Sequence, residues 1–223
     1  MEFLTKVNIG DFRLAEDLPD VKYYDIAIVE GTPITREQLR RLKIVRKKSK
    51  ILIALGACAC AGGPQEIKDY RGKKNQLMRI VYPNVRGIDN PNIKSLKELV
   101  KVDIEIPGCP INKEEFFRVL NELIEGKGPT IEQKPVCEEC IRKNKMCFLL
   151  LGKPCLGAIT LGGCGAPCPA NNLPCDGCRG PRQGINLEAM KNALKYKAHL
   201  REDEIEMILE RFGEKNEFKK ASK

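Results

Sequence analysis

Apolar positions in this chain come first as short unbroken runs and later at helical spacing. Tyr24-Asp-Ile-Ala-Ile-Val-Glu30 and Ile51-Leu-Ile-Ala-Leu55 are such runs. Bounded by turn residues, runs of this length suit buried strands. Between them, Thr35 and Gln38 form a capping-box signature, and Leu39, Leu42, Ile44 and Val45 give an imperfect helical stripe to about Lys48. Strand, helix and strand with short joins predict a right-handed parallel crossover, and ligands gather at the strand tips of such sheets. Val102-Asp-Ile-Glu-Ile106 alternates as a further strand. Glu114 to about Glu125 reads as a helix with Phe116, Phe117, Leu120 and Leu123 on one side. From about Lys127 the periodicity fades and Gly and Pro accumulate. It returns after Pro181 as two helical patterns, one with Leu187, Met190 and Leu194, the other with Ile205, Ile208, Leu209 and Phe212, closed by Gly213.

Where the apolar pattern fades, cysteine takes over. Eight of the eleven cysteines lie between Cys137 and Cys178, in two sets of four. The first set is Cys137-x2-Cys140, Cys147 and Cys155; the second is Cys164-x3-Cys168 and Cys175-x2-Cys178. Two four-thiolate sets on a Gly/Pro-rich tract are what two sulfur-ligated centres need. Zinc knuckles are the alternative, but the irregular gaps and the lack of any His among them favour iron–sulfur centres. A segment this poor in apolar periodicity would draw much of its folding energy from the metal.

Cys58 and Cys109 each stand in a turn at the tip of a predicted strand, in Gly-Ala-Cys58 and Pro-Gly-Cys109-Pro. One cysteine there reads as a small buried hydrophobe; two at equivalent tips suggest a site. Cys60 reads as a filler on the far side of its turn, Glu30 as a solvated or capping carboxylate, and His199 as a surface helix residue.

The 223 residues, 42% hydrophobic, suffice for one large domain or two small ones. The N-terminus has no signal-peptide core and no stretch approaches a membrane span, so a soluble, cytoplasmic protein is expected, with no membrane partner. In that reducing compartment, cysteines at these spacings point to metal ligation over disulfides, and an odd count of eleven argues against a fully paired disulfide scaffold. The net charge of +9 raises nucleic acid as a partner. Its sources are scattered, however: Arg40, Arg41, Lys43, Arg46, Lys47, Lys48 and Lys50 around one helix, and Lys219, Lys220 and Lys223 in a frayed tail. No aromatic residues interleave with them as a stacking platform requires, so no nucleic-acid partner is expected.

Gly56-Ala-Cys58-Ala-Cys60-Ala-Gly-Gly63, Pro107-Gly-Cys109-Pro110, Cys137-x2-Cys140, Gly152-x2-Cys155-Leu-Gly157, Gly163-Cys164-Gly-Ala-Pro-Cys168 and Pro174-Cys175-x-Gly-Cys178-x-Gly-Pro181 follow in this order. The string, from about Tyr24 to Pro181, resembles the small subunit of nickel–iron hydrogenases, in particular the cytosolic sulfhydrogenase and F420-non-reducing types. The resemblance implies an N-terminally incomplete flavodoxin-like α/β domain over residues 1–128. A two-cluster iron–sulfur domain over 129–182 and a helical tail over 183–223 would follow. It further implies [4Fe–4S] clusters at Cys137, Cys140, Cys147 and Cys155 (distal) and at Cys164, Cys168, Cys175 and Cys178 (medial). Cys58 and Cys109 would be two ligands of a third, proximal cluster. The family takes the other two from a Cys-x2-Cys after its first strand, whereas no cysteine precedes Cys58 here. That leaves the third cluster open, with Cys60 as a possible recruit, and loss of a central first strand would open the core. The implied function is electron relay between a nickel–iron large subunit and a flavin- or ferredoxin-type partner. The alternative is an iron–sulfur subunit of a non-hydrogenase redox complex without the proximal cluster. The related 20 kDa subunit of respiratory NADH:ubiquinone oxidoreductase lacks the eight cysteines of the second half.

Overall fold

The computed structural model describes residues 22–66, 69, 92–143, 146–213 and 215–222. Lys223, named above, lies outside the described residues. Strand β1 (Tyr24–Glu30), helix α1 (Arg36–Lys48), strand β2 (Ser49–Leu55), short helix α2 (Gly56–Ala61) and strand β3 (Ile104–Ile106) lead into helix α3 (Lys113–Ile124). The three strands are parallel in the order β1-β2-β3. Thr35 Oγ1 accepts from Gln38 N–H, and Gln38 Oε1 accepts from Thr35 N–H, both at 3.1 Å, so the predicted capping box starts α1.

β2 is the buried strand: Leu52, Ile53 and Ala54 are fully covered. Its alternation splits the core in two. Leu52 and Ala54 pack with Leu42 of α1, Ala59, Cys60 and Leu96. Ile53 packs on the other face with Ile106 and with Val119 and Leu120 of α3. This is a layered α/β arrangement, helix over each face of a parallel sheet.

Several expectations are corrected. Among the described residues β1 is an edge strand, not a buried one: only Ala27 is covered and Ile28 is exposed. β1 and β2 pair directly, from Tyr24↔Ser49 to Glu30↔Leu55, with no strand between them among the described residues. β3 begins at Ile104 instead of Val102, because the Asp103 carboxylate takes the Leu52 N–H at 2.9 Å where a ladder carbonyl would otherwise accept it. Arg46 belongs to this corner and not to a solvated face. It pairs with Asp103 and donates to Ser49 O (2.6 Å), Lys50 O (3.1 Å) and Lys101 O (3.2 Å). On α3 the inward side is Phe116, Val119, Leu120 and Leu123, while Phe117 is exposed.

The cysteine-rich segment is organised around one extended thread. Leu161 N–H donates to Gly180 O and Val136 N–H to Thr160 O, while Gly162 N–H reaches Lys134 O and Arg182 N–H reaches Ile159 O. Isolated bridges Pro135↔Leu161 and Thr160↔Pro181 mark the same thread. Helices α4 (Val136–Ile141) and α5 (Pro167–Ala170) lie in this segment. Helices α6 (Leu187–Tyr196), α7 (Glu202–Leu209) and α8 (Lys215–Ala221) then close over Leu156 and Ile159, building a shared core with Met190, Leu194, Ile205, Leu209 and Phe218. The tail expected to fray is thus helical, and Phe218 is 1% exposed. His199 is exposed but not helical: it links α6 to α7 at φ +56°. No helix among the described residues is long and apolar enough to cross a membrane.

Candidate metal centres

Val136 starts α4 where the thread's Thr160 carbonyl holds it, so Cys137 and Cys140 follow on one helical face at a three-residue spacing. Cys155 arrives from the other direction, just before the thread. The backbone gap that receives both is Gly157. A Cβ built there would stand 3.4 Å from Cys137 Sγ and 3.7 Å from Cys155 Sγ. The absence of a side chain therefore leaves one space with thiols on both sides. Burial, followed by charge on Cys155, Cys147 and Cys140, pushes the Cys137 thiol up to about 11. Burial likewise raises Cys155, against hydrogen bonds from the Gly157 and Cys175 backbones, with Cys147 and Cys140 adding to the rise. All four thiols of the first set thus lie within one another's field. As thiolates they would repel, and a bound cation offsets that repulsion. The donor set suits a thiolate-ligated iron–sulfur cluster.

The second set is gathered less tightly. Cys175 is buried, its thiol driven far up first by burial, and it feels both Cys155 and Cys178. Burial also raises Cys164, whose neighbours are the Ala166 N–H, Glu139 and Arg179. Burial raises Cys168 on α5 as well, and its charged neighbour is Asp176, not another thiol. Among the described residues, no three His, Cys, Asp or Glu side chains gather closely enough for a single metal ion.

Cys58 lies on α2, not in the predicted turn, and Cys109 is exposed beyond β3. Ala57 N–H donates to Gly108 O at 2.9 Å, which ties the two tips together. Cys60 points the opposite way on the helix and donates to Ala54 O at 3.5 Å. Burial drives its thiol far up, with Glu105 adding to the effect. It is the core filler expected. Glu30 is exposed.

The sequence reading missed three charged residues. Glu139, on α4 between two cysteines, crosses to the second set: its Oε1 accepts from Gly163 N–H (2.6 Å), its Oε2 from Ala166 N–H (3.2 Å) and, at 3.7 Å, from Cys164 Sγ. Arg179 and Glu115 form a buried ion pair between the second set and the β3 tip. The signal was faint: an acidic residue inside a Cys-x2-Cys and a basic one directly after another. A groove of about 690 Å3, lined by Glu115, Arg118, Glu138, Glu139, Arg142 and Gly163 among others, opens beside these contacts.

Residues 4–123, more than half of the chain, match the family model of the NADH ubiquinone oxidoreductase 20 kDa subunit. Subunit delta of sulfhydrogenase 2 from Pyrococcus furiosus is 38% identical over 197 residues, covering 87% of this chain and 82% of the relative. The chain belongs to the small-subunit family of nickel–iron hydrogenases. A subunit of the F420-non-reducing hydrogenase vhu of Methanocaldococcus jannaschii is 32% identical to this small subunit over 213 residues (82% of this chain, 73% of the relative). The iron–sulfur subunit of the F420-non-reducing hydrogenase of Archaeoglobus profundus is 28% identical over 221 residues (76% and 68%). This small subunit is therefore of the sulfhydrogenase and F420-non-reducing type, a family of iron–sulfur subunits of hydrogenase complexes.

Proposed function

We propose that this chain relays electrons in a cytoplasmic [NiFe]-hydrogenase-type complex, between a nickel–iron large subunit and a flavin- or ferredoxin-type partner. The reaction served is H2 ⇌ 2 H+ + 2 e−, with bond chemistry on the large subunit. The flavodoxin-like domain (1–128), cluster domain (129–182) and helical tail (183–223) are the working units. Cys137, Cys140, Cys147 and Cys155 would hold the distal [4Fe–4S] cluster, and Cys164, Cys168, Cys175 and Cys178 the medial one. Cys58 and Cys109 would supply two ligands to a third, proximal site facing the large subunit. Such clusters are one-electron carriers when bound.

The chain's own residues hold and tune. Thiolates ligate, and the Cys175 N–H at 3.3 Å from Cys155 Sγ stabilises charge on that sulfur. Glu139 pins the loop that presents Cys164. The observation that supports the reading is the approach of the Cys137 and Cys155 thiols to one side-chain-free space at Gly157 in a chain of this family.

The test is anaerobic purification of the native complex. A nickel-bearing partner and hydrogen-dependent reduction of a viologen dye are expected. Iron without a nickel partner, and no hydrogen-dependent dye reduction, would overturn it and favour an iron–sulfur subunit of another redox complex.

A further inference from the structure

Arg179 is 3% exposed, an unusual place for a guanidinium, and each of its three nitrogens has a hydrogen-bond partner. Its Nε donates to Leu161 O (3.2 Å) and Gly162 O (2.9 Å), Nη1 to Pro107 O (2.7 Å) and Nη2 to Glu115 Oε1 (2.8 Å). Glu115 Oε2 stands 2.7 Å from Nη1, in charge contact but without an aligned hydrogen bond. Three chain segments meet at this one cation. Pro107 precedes the Cys109 tip, Gly162 precedes Cys164, and Arg179 directly follows Cys178. Replacing a buried ion pair by apolar residues is often neutral or stabilising, so stability alone is a weak reason for this one. Its position supplies a better one. A fixed charge in a low-dielectric interior acts strongly on charge that changes nearby, and a cluster's potential responds to such charge.

We propose that Arg179 is a positioning residue that sets the reduction potential of the centre held by Cys164, Cys168, Cys175 and Cys178. Glu115 trims its field, and the same fork locks the Cys109 tip against that centre. The inference rests on the ligand assignment above. On reduction, the centre accepts one electron from the donor and gains one negative charge. A buried cation favours that state and a buried carboxylate opposes it. Removing each partner therefore shifts the potential in opposite directions. A merely structural pair would not do this, because loss of either half leaves the other unpaired and loosens the same contacts.

The experiment is a potentiometric titration with dithionite, followed by EPR, on the complex purified anaerobically with Arg179→Gln, Arg179→Lys or Glu115→Gln. Iron is quantified in each sample, and the centre of the first cysteine set serves as internal reference. The expected result is a lower potential of the second centre in Arg179→Gln, a higher one in Glu115→Gln, and a value near wild type in Arg179→Lys. The reference centre should shift less in every variant. Shifts of the same sign, or none, with iron retained would overturn the proposal. Loss of the second centre in all three variants would overturn it too, by assigning the pair a purely structural role. Failure of the ligand assignment looks different: the wild-type complex itself would show no second centre to titrate.

Discussion

Gly163→Ala should be far more damaging than Gly165→Ala, although the two glycines flank the same cysteine. Gly165 has φ +73° and open space around its missing side chain. Alanine there meets only the left-handed backbone penalty, about 1–2 kcal/mol. Gly163 has φ +108°, and a Cβ would stand 2.6 Å from Glu115 Oε1 and 2.8 Å from Arg179 Nη2. The backbone strain costs about 1–3 kcal/mol. The two atoms in the way belong to a buried pair with no free direction of retreat: Arg179 is held by three carbonyls and Glu115 by Arg179. Breaking such a pair costs about 3–5 kcal/mol. The total is at least about 4 kcal/mol, a large share of a typical folding free energy of roughly 5–15 kcal/mol. For a chain of this size it corresponds to roughly 8–16 °C in melting temperature, against about 2–8 °C for Gly165→Ala. Thermal unfolding of the cluster-loaded full chain, followed by circular dichroism under nitrogen, measures both. Equal losses in the two variants would refute the claim that the ion pair fills the space beside Gly163.

Three further outcomes are expected. Glu66 has a buried Oε2 with no hydrogen-bond partner among the described residues, and burial, followed by Glu98 and Asp69, pushes its carboxyl from 4.5 up to about 7. The folded state then holds the proton more tightly than the unfolded chain, so stability falls as pH rises from about 4.5 through 7. Glu66→Gln should flatten that part of a melting-temperature profile, gaining most above pH 7 and little below 4.5; an unchanged slope would contradict it. Phe218→Ala should cost about 3–5 kcal/mol in chemical denaturation, because α8 is part of the core; a loss under about 1 kcal/mol would return α8 to the status of a frayed tail. Cys60→Ala should leave iron content unchanged, since its thiol faces Ala54 O inside the core; loss of iron would make Cys60 a ligand.

Local chemistry was legible in the sequence and non-local contact was not. Thr35 and Gln38 announced α1 because a capping box involves only near neighbours. The Leu187, Met190 and Leu194 stripe announced α6 for the same reason, and all three are buried. The cysteine spacing marked the candidate site, since ligands for a fixed cluster must recur at workable intervals. Glu139 and Arg179 were invisible because nothing near them in sequence defines their roles. Glu139 acts 24 residues away on Gly163, and Arg179 acts 64 residues away on Glu115 and 72 on Pro107. The short β3 is a similar case, since a single carboxylate, Asp103, took the place of a ladder bond. Phe117 misled because a helical stripe fixes which residues share a side, not how much of that side a neighbour covers. His199 misled because the helix C-terminus before it needed a left-handed residue, and a non-glycine filled that position.

Anaerobic iron and sulfide quantitation with EPR on the chain, purified with whatever accompanies it, tests most directly whether the two cysteine quartets hold iron–sulfur clusters. At least about eight iron and eight sulfide per chain and two EPR-visible reduced centres are expected, with about twelve of each if a third centre is completed at Cys58 and Cys109. A colourless protein with two zinc ions per chain and no acid-labile sulfide would contradict it.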